Sequence, residues 1–226
     1  MTDVATIVRG FVPSAEFALG ATLDRLPEAA FETERVVTSG EDAVMPLLWV
    51  RQVEREAADR ALEADPTVEE VSSLADFGTE HLYRMKWVDH VDLLLQMLTN
   101  SEATVLDAYG RGDQWALRVL YPSREEFSKT HEFCNDHGLT FEAESIREMD
   151  GEPAGRFGLT EQQYQALVAA TEQGYYGVPR GSKLQEIAGE FDLSHQAFSE
   201  RLRRGTASLV RDTLIVGEPP DELRSP

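Results

Sequence analysis

"LQEIAGEFDLSHQAFSERLRRG", residues 184–205, is the stretch on which the second half of this 226-residue chain turns. Leu184, Ile187, Ala188 and Phe191 recur at i, i+3, i+4 and i+7, the apolar stripe of a helix of about nine residues. Ser182 and Gln185 have the S-x-x-Q spacing of a capping box at its start. After the tight link "DLS", Ser194 is placed to cap a further helix that carries Phe198, Leu202 and Leu209 inward. Upstream, Thr160 and Gln163 repeat the capping spacing, and Tyr164, Leu167 and Val168 form an apolar stripe that Gly174 ends. Two short helices, a tight turn and apolar residues to lock them are the makings of a helix-turn-helix. The first turn position commonly holds Gly because it needs a positive φ. Here it is Asp192, which tolerates the left-handed region better than most residues. Gly205 costs about 1 kcal/mol inside a helix, which points to close packing there.

The outward positions follow by subtraction. With Phe198 and Leu202 in the core, His195, Gln196, Ser199, Glu200 and Arg203 are left to face a DNA groove. Gln196 matches the N6/N7 edge of adenine, and Arg203 the O6/N7 edge of guanine or a phosphate. Glu200 suits cytosine N4, or orients an arginine. Ser194, Arg201, Arg204 and Lys183 are assigned to phosphates, which set register without carrying sequence information. The alternative is an ordinary three-helix packing unit whose arginines are a solvated face.

The formal charge of −20 argues against a nucleic-acid partner until its texture is considered. Lysine occurs only at Lys86, Lys129 and Lys183, against forty-one acidic residues, a balance resembling that of proteins from extreme halophiles. In molar salt the Debye length is about 3 Å, so global repulsion from DNA is nearly erased. An ordinary acidic mesophilic protein is the other reading. Residues 157–226 hold 7 basic and 10 acidic side chains, and within them residues 194–211 hold four arginines against Glu200 alone. The few positive charges thus gather where the groove-facing helix is expected. Cys134 is the one cysteine and has no partner for an intramolecular disulfide. No apolar run reaches membrane-spanning length and no signal peptide is legible, so a cytoplasmic protein away from membranes is expected.

The first half alternates strands and helices. "TIVRGFV", "FETERVVT" and "PLLWV" read as strands, and Arg51–Ala64 as a helix. "TVEEVSSL" and "HLYRMKWV" resemble a strand pair. A helix over Asp89–Thr99 carries Val91, Leu94, Leu95 and Leu98 on one face. "ATVLDAYGRGDQWALRVLYP" is a hairpin turning at "GRGD", followed by a helix from Ser123 to about Asp136 and a strand in "TFEAESIRE". The fold class expected is α+β: a ferredoxin-like or related α+β sandwich, then an all-α helix-turn-helix domain.

His131, Cys134 and His137 invite a metal reading, but positions i, i+3 and i+6 do not converge on one helix, and no fourth ligand stands out. The bland expectation is that Phe127, His131 and Cys134 line a buried face with His137 at the helix end. Nothing basic near Cys134 marks it as a redox sensor. "GRGD" lacks the strand-to-helix context of a phosphate loop. Trp49, Trp87 and Trp115 are expected in the core. With no nucleophile-base arrangement legible, neither catalysis, a metal nor a cofactor is expected.

Residues 158–214 resemble the helix-turn-helix domain of the bacterio-opsin activator family, transcription regulators of halophilic archaea. The match lies in L-T-x-x-Q, G-Y-Y-x-V-P-R and S-x-Q-A-x-S-E-R-L-R-R-G. "MPLLWV", "DPTVEEV" and "YRMKWV" are similar to the domain that accompanies it in that family. Asp192 departs from the usual Gly, and Phe198 is larger than the usual Ala or Val. Longer members carry sensor domains ahead of these two and none is expected here, which leaves open whether the input is a ligand held by residues 1–150, a partner protein or expression level. The resemblance implies a sequence-specific transcription regulator on double-stranded DNA. The domains expected are 1–150 for regulation or dimerisation, 151–158 as linker, 159–216 for DNA and 217–226 as tail. A homodimer is expected, since one helix-turn-helix reads few base pairs. The alternatives are a small-molecule sensor acting through proteins, or an adaptor binding the transcription machinery.

Overall fold

The computed structural model describes residues 4–38, 44–87, 100–149 and 158–213. They divide into two compact units, one up to Glu148 and one from Met149 onward. In β1 (Thr6–Pro13) every second residue is buried, because successive strand side chains point to opposite faces. A 3-10 turn, α1 (Gly20–Arg25), β2 (Ala30–Thr38), β3 (Val44–Arg51) and α2 (Arg55–Glu63) follow. After these come β4 (Val68–Asp76), β5 (Glu80–Trp87), β6 (Thr104–Arg111), β7 (Gln114–Tyr121), α3 (Arg124–His137) and β8 (Glu142–Glu148). The sheet is antiparallel throughout, in the order β4-β5-β3-β2-β6-β7-β1-β8. The second unit is helical: α4 (Glu161–Glu172), α5 (Leu184–Glu190) and α6 (His195–Thr213). The protein is therefore α+β, an antiparallel sheet unit followed by a helix-turn-helix unit.

The strand order contains a two-fold repeat. On one side of the centre the chain segments β2, β3, α2, β4 and β5 give the order β2-β3-β5-β4. On the other, β6, β7, α3 and β8 give β6-β7-β1-β8, with β1 filling the place that β5 fills in the first half. The halves meet along β2 and β6 over Ala30↔Arg111, Phe31↔Gly110 and Glu32↔Tyr109. Beyond these pairs β2 bulges between Thr33 and Arg35. There the Thr33 hydroxyl extends the ladder, accepting from the Ala108 N–H at 2.9 Å and donating to its carbonyl at 3.2 Å.

Helices cover one face of the sheet, and the core lies under them. Trp87 and Trp115, both wholly buried, meet edge-to-face at 6.4 Å with Phe17 against each. The Trp115 indole N–H donates to the Ala18 carbonyl at 2.7 Å. Trp49 departs from the expected core position. Its register opposite Glu32 and Leu82 turns it to the other face, where its N–H donates to Glu34 at 2.9 Å. α1 is tied down by Asp65, a buried carboxylate that accepts from the N–H and hydroxyl of both Thr22 and Thr67.

The sequence start of α2 at Arg51 is four residues too early. β3 runs on through Arg51, whose guanidinium is held by Glu32 and Glu80, and Gln52 then takes φ 62° before the helix begins. The expected helix over residues 89–99 and the expected 151–158 linker (residue 158 excepted) lie outside the described residues. α3 is capped by Ser123, which accepts from the Glu126 N–H at 3.3 Å. Its buried row is Phe127, Thr130 and Cys134, so His131, expected inside, is exposed instead. His137 stacks on Phe133. Burial pushes the Cys134 thiol up to about 11, far from the range of a reactive thiolate. Among the described residues no group of three His, Cys, Asp or Glu is arranged to hold a metal ion, and no helix is long and apolar enough to cross a membrane.

Gly110 stands at the junction of the halves, where a Cβ would lie 2.8 Å from the Trp115 ring. Gly110→Ala is expected to lower stability by about 1–3 kcal/mol through overpacking against an immobile indole. Urea unfolding of the variant beside the wild type measures it; an unchanged midpoint would contradict the close approach.

Candidate nucleic-acid interface

The second unit is built from its caps inward. Thr160 and Gln163 form the expected box at the start of α4: the Thr160 N–H donates to the Gln163 side chain at 3.0 Å, and the Gln163 N–H to the Thr160 hydroxyl at 3.3 Å. The buried side of α4 is Ala166 and Ala170. Tyr164, Leu167 and Val168 are only half-buried and line an open apolar groove with Leu159, Thr206 and Leu209. Ser182 does not cap α5. Its hydroxyl donates to the Gln173 carbonyl at 2.6 Å, closing the preceding loop, while the Glu186 carboxylate reaches back to the Lys183 N–H at 3.1 Å. α5 accordingly starts at Leu184 and is seven residues long.

The turn has the geometry that the sequence requires. Asp192 takes φ 53°, and the Leu193 N–H donates to the Ala188 carbonyl at 3.0 Å. Phe191 and Phe198 close over it with ring centroids 5.1 Å apart. Ser194 caps α6, accepting from the Ala197 N–H at 3.2 Å. Phe198, Leu202 and Gly205 form the buried edge of α6. At Gly205 a Cβ would lie 2.9 Å from Leu167 Cδ1 and 3.3 Å from Gln163 Cβ, so this glycine lets α6 approach α4 closely.

That buried edge fixes the rest of the helix. Gln196, Glu200 and Arg203 are exposed on the side opposite Phe198 and Leu202. His195 and Ser199 lie on one flank, where they line a groove with Lys183. Arg201 and Arg204 lie on the other flank, lining a second groove with Thr160, Gln162 and Gln163. The nine singled-out residues therefore gather around α6, but in three places rather than as one groove-facing set. Glu200 forms an ion pair with Arg204.

Charge pairing differs between the two units. In the sheet unit Arg9, Arg51, Arg55, Arg60, Arg111, Arg118 and Arg124 each meet a carboxylate, while no ion pair joins Arg25, Arg84 or Arg147 to a described one. In the helical unit Arg204 is paired, while no ion pair joins Arg180, Lys183, Arg201, Arg203 or Arg211 to a described carboxylate. Residue-by-residue sequence reasoning passed over Arg180, which lines the same groove as His195 and Ser199. The available signal was the arginine ending G-Y-Y-x-V-P-R, used only as part of a resemblance.

Comparison with known proteins agrees with this geometry. Residues 159–211 match a family described as an HTH DNA-binding domain. Residues 12–159 match the family described as the GAF and HTH_10 associated domain. A stretch of 46 residues is 44% identical to the dimethyl sulfoxide reductase transcriptional activator of Halobacterium salinarum, covering 20% of this chain and 20% of that protein. None of these matches is to an enzyme.

A non-glycine residue in the left-handed region is held there at a cost of about 1–2 kcal/mol. Asp192→Gly is expected to raise the stability of the helical unit by up to about 1 kcal/mol, and Asp192→Val to lower it by more. Thermal unfolding of both variants followed by helical circular dichroism checks this; Asp192→Val matching the wild type would refute the strain.

Proposed function

The chain belongs to the bacterio-opsin activator-type family that joins the GAF and HTH_10 associated domain to an HTH DNA-binding domain, and from this premise we propose a sequence-specific transcription regulator. The carrying observation is the roll of α6: its core edge is fixed by Phe198, Leu202 and Gly205, and its first turns leave Gln196, Glu200 and Arg203 exposed. An α-helix fits the major groove of B-DNA, and its first turns reach base edges. Gln196 and Arg203 take direct readout. Glu200 orients Arg204. Ser194, His195, Ser199, Lys183, Arg201 and Arg204 flank that edge and take phosphates. The groove-facing set proposed is thus smaller than the one expected from sequence, because His195 and Ser199 turn toward the loop side.

Residues 1–150 serve for dimerisation or signal input, 151–158 as linker, 159–216 for DNA and 217–226 as tail. Input is supported by the sheet face away from the helices, where half-buried Phe11, Leu47, Trp49, Leu82 and Tyr109 lie. Dimerisation is supported by the small footprint of one reading helix and by the apolar groove between α4 and α6. Cytoplasmic action in concentrated salt follows from the DNA target and the acidic balance. The matched stretch covers a fifth of that relative's length, so that protein's named activity supports only the general class.

Selection from a pool of random duplexes in molar potassium chloride, with sequencing of what is retained, tests this reading. A motif with two-fold half-sites about 10 base pairs apart is expected for a dimer. Arg203→Ala and Gln196→Ala should each cost about 1–3 kcal/mol on that motif, roughly fivefold to 150-fold in affinity. No enrichment by the folded protein would favour the sensor or adaptor alternative.

A further inference from the structure

The loop between α4 and α5 is pinched shut at its base. The Gly181 N–H donates to the Gly174 carbonyl at 2.9 Å, and the Gly177 N–H to the same carbonyl at 3.0 Å. The Gly174 and Gly181 backbones pass so closely that a Cβ on Gly181 would lie 2.9 Å from the Gln173 carbonyl oxygen. Ser182 adds its hydroxyl bond to that same carbonyl. What the closed loop presents is unusual for a surface: Val178 is 100% exposed at the tip, and Arg180 follows it.

Arg180 is held in place. Its guanidinium lies 4.8 Å from the centroid of the Tyr175 ring, and Tyr175 packs against the core of the helical unit. No ion pair joins Arg180 to a described carboxylate, in a chain with forty-one acidic residues. It lines a groove of about 680 Å³ with Lys183, His195 and Ser199. The acid lining that groove, Glu186, accepts from the Lys183 N–H.

We propose that this loop is a second DNA contact, in which Arg180, set by Tyr175, binds a backbone phosphate of the strand bordering the groove that α6 occupies. The inference rests on the DNA-binding reading above. A guanidinium offers a planar fork of N–H donors to phosphate oxygens, and stacking on Tyr175 restricts its rotamers before binding. Lys183 and His195 border the same phosphate path, while the exposed Val178 meets the apolar faces of neighbouring deoxyriboses. Arg180 thereby adds affinity and register, and leaves the choice of bases to α6.

The experiment compares wild type, Arg180→Gln, Arg180→Lys and Arg203→Ala as full-length proteins. Each is titrated with the selected duplex and a scrambled duplex over potassium chloride concentrations at which circular dichroism shows it folded. Arg180→Gln is expected to weaken both duplexes by the same factor and to reduce the slope of log affinity against log salt by about 0.9. Arg180→Lys should retain the slope and lose part of the affinity. Arg203→Ala should weaken the selected duplex more than the scrambled one. Ethylation of the phosphates should show one interfering position lost in Arg180→Gln. Wild-type affinity and slope in Arg180→Gln, with Arg203→Ala impaired, would overturn the loop contact and leave the α6 reading standing. A folded wild type that binds neither duplex would overturn both.

Discussion

The wholly buried Phe198 ring governs the helical unit, because it fixes how α6 is rolled about its axis. It packs on Phe191 across the turn, and Leu202 and Gly205 continue the same edge against the rest of the unit. With about 100° between successive residues, a roll of one position would bring Ala197 to where Gln196 stands and hide Arg203. Asp192, held at a positive φ, lets the chain reverse sharply enough for the two phenylalanines to meet. The surface chemistry of α6 is in this sense decided from underneath.

The two units were unequally legible in the sequence, for reasons of range. The helix-turn-helix is specified by neighbours: Thr160 with Gln163, Ala188 with Leu193, Ser194 with Ala197. Such contacts show in spacing. The misreadings inside it came from hydroxyls with two plausible partners, as when Ser182 bonds the Gln173 carbonyl instead of capping α5. Individual strands of the first unit were also readable from alternation, but their neighbours were not. Thr33 pairs through its side chain with Ala108, and β1 lies between strands that begin more than a hundred residues later. Nothing local in "TIVRGFV" names those partners. Trp49 shows the same limit: its strand was evident, its face was not.

Most described arginines of the sheet unit are paired with an acid, and in the helical unit only Arg204 is. Exposed ion pairs such as Arg111 with Glu28 contribute under about 1 kcal/mol each. Their effect is on the field: each arginine held by an acid in the sheet unit contributes little attraction toward a polyanion. The cations around α6 keep theirs, Arg204 excepted. Screening in concentrated salt shortens the reach of both to near contact distance. Under such conditions placement of individual guanidinium groups matters more than net charge.

The position of β1 bears on how the protein is made. It is translated before the other described strands of its unit, yet both of its neighbours, β7 and β8, come from the far end of that unit. Synthesis proceeds at roughly 5–20 residues per second, so β1 stays unpartnered for several seconds while β2 to β5 already have each other. Its alternation of Ile7, Phe11 and buried valines is then an open strand edge, with Arg9 as its one charge. Only after Glu148 emerges can the second half-sheet close around it, and the helical unit is still to be translated.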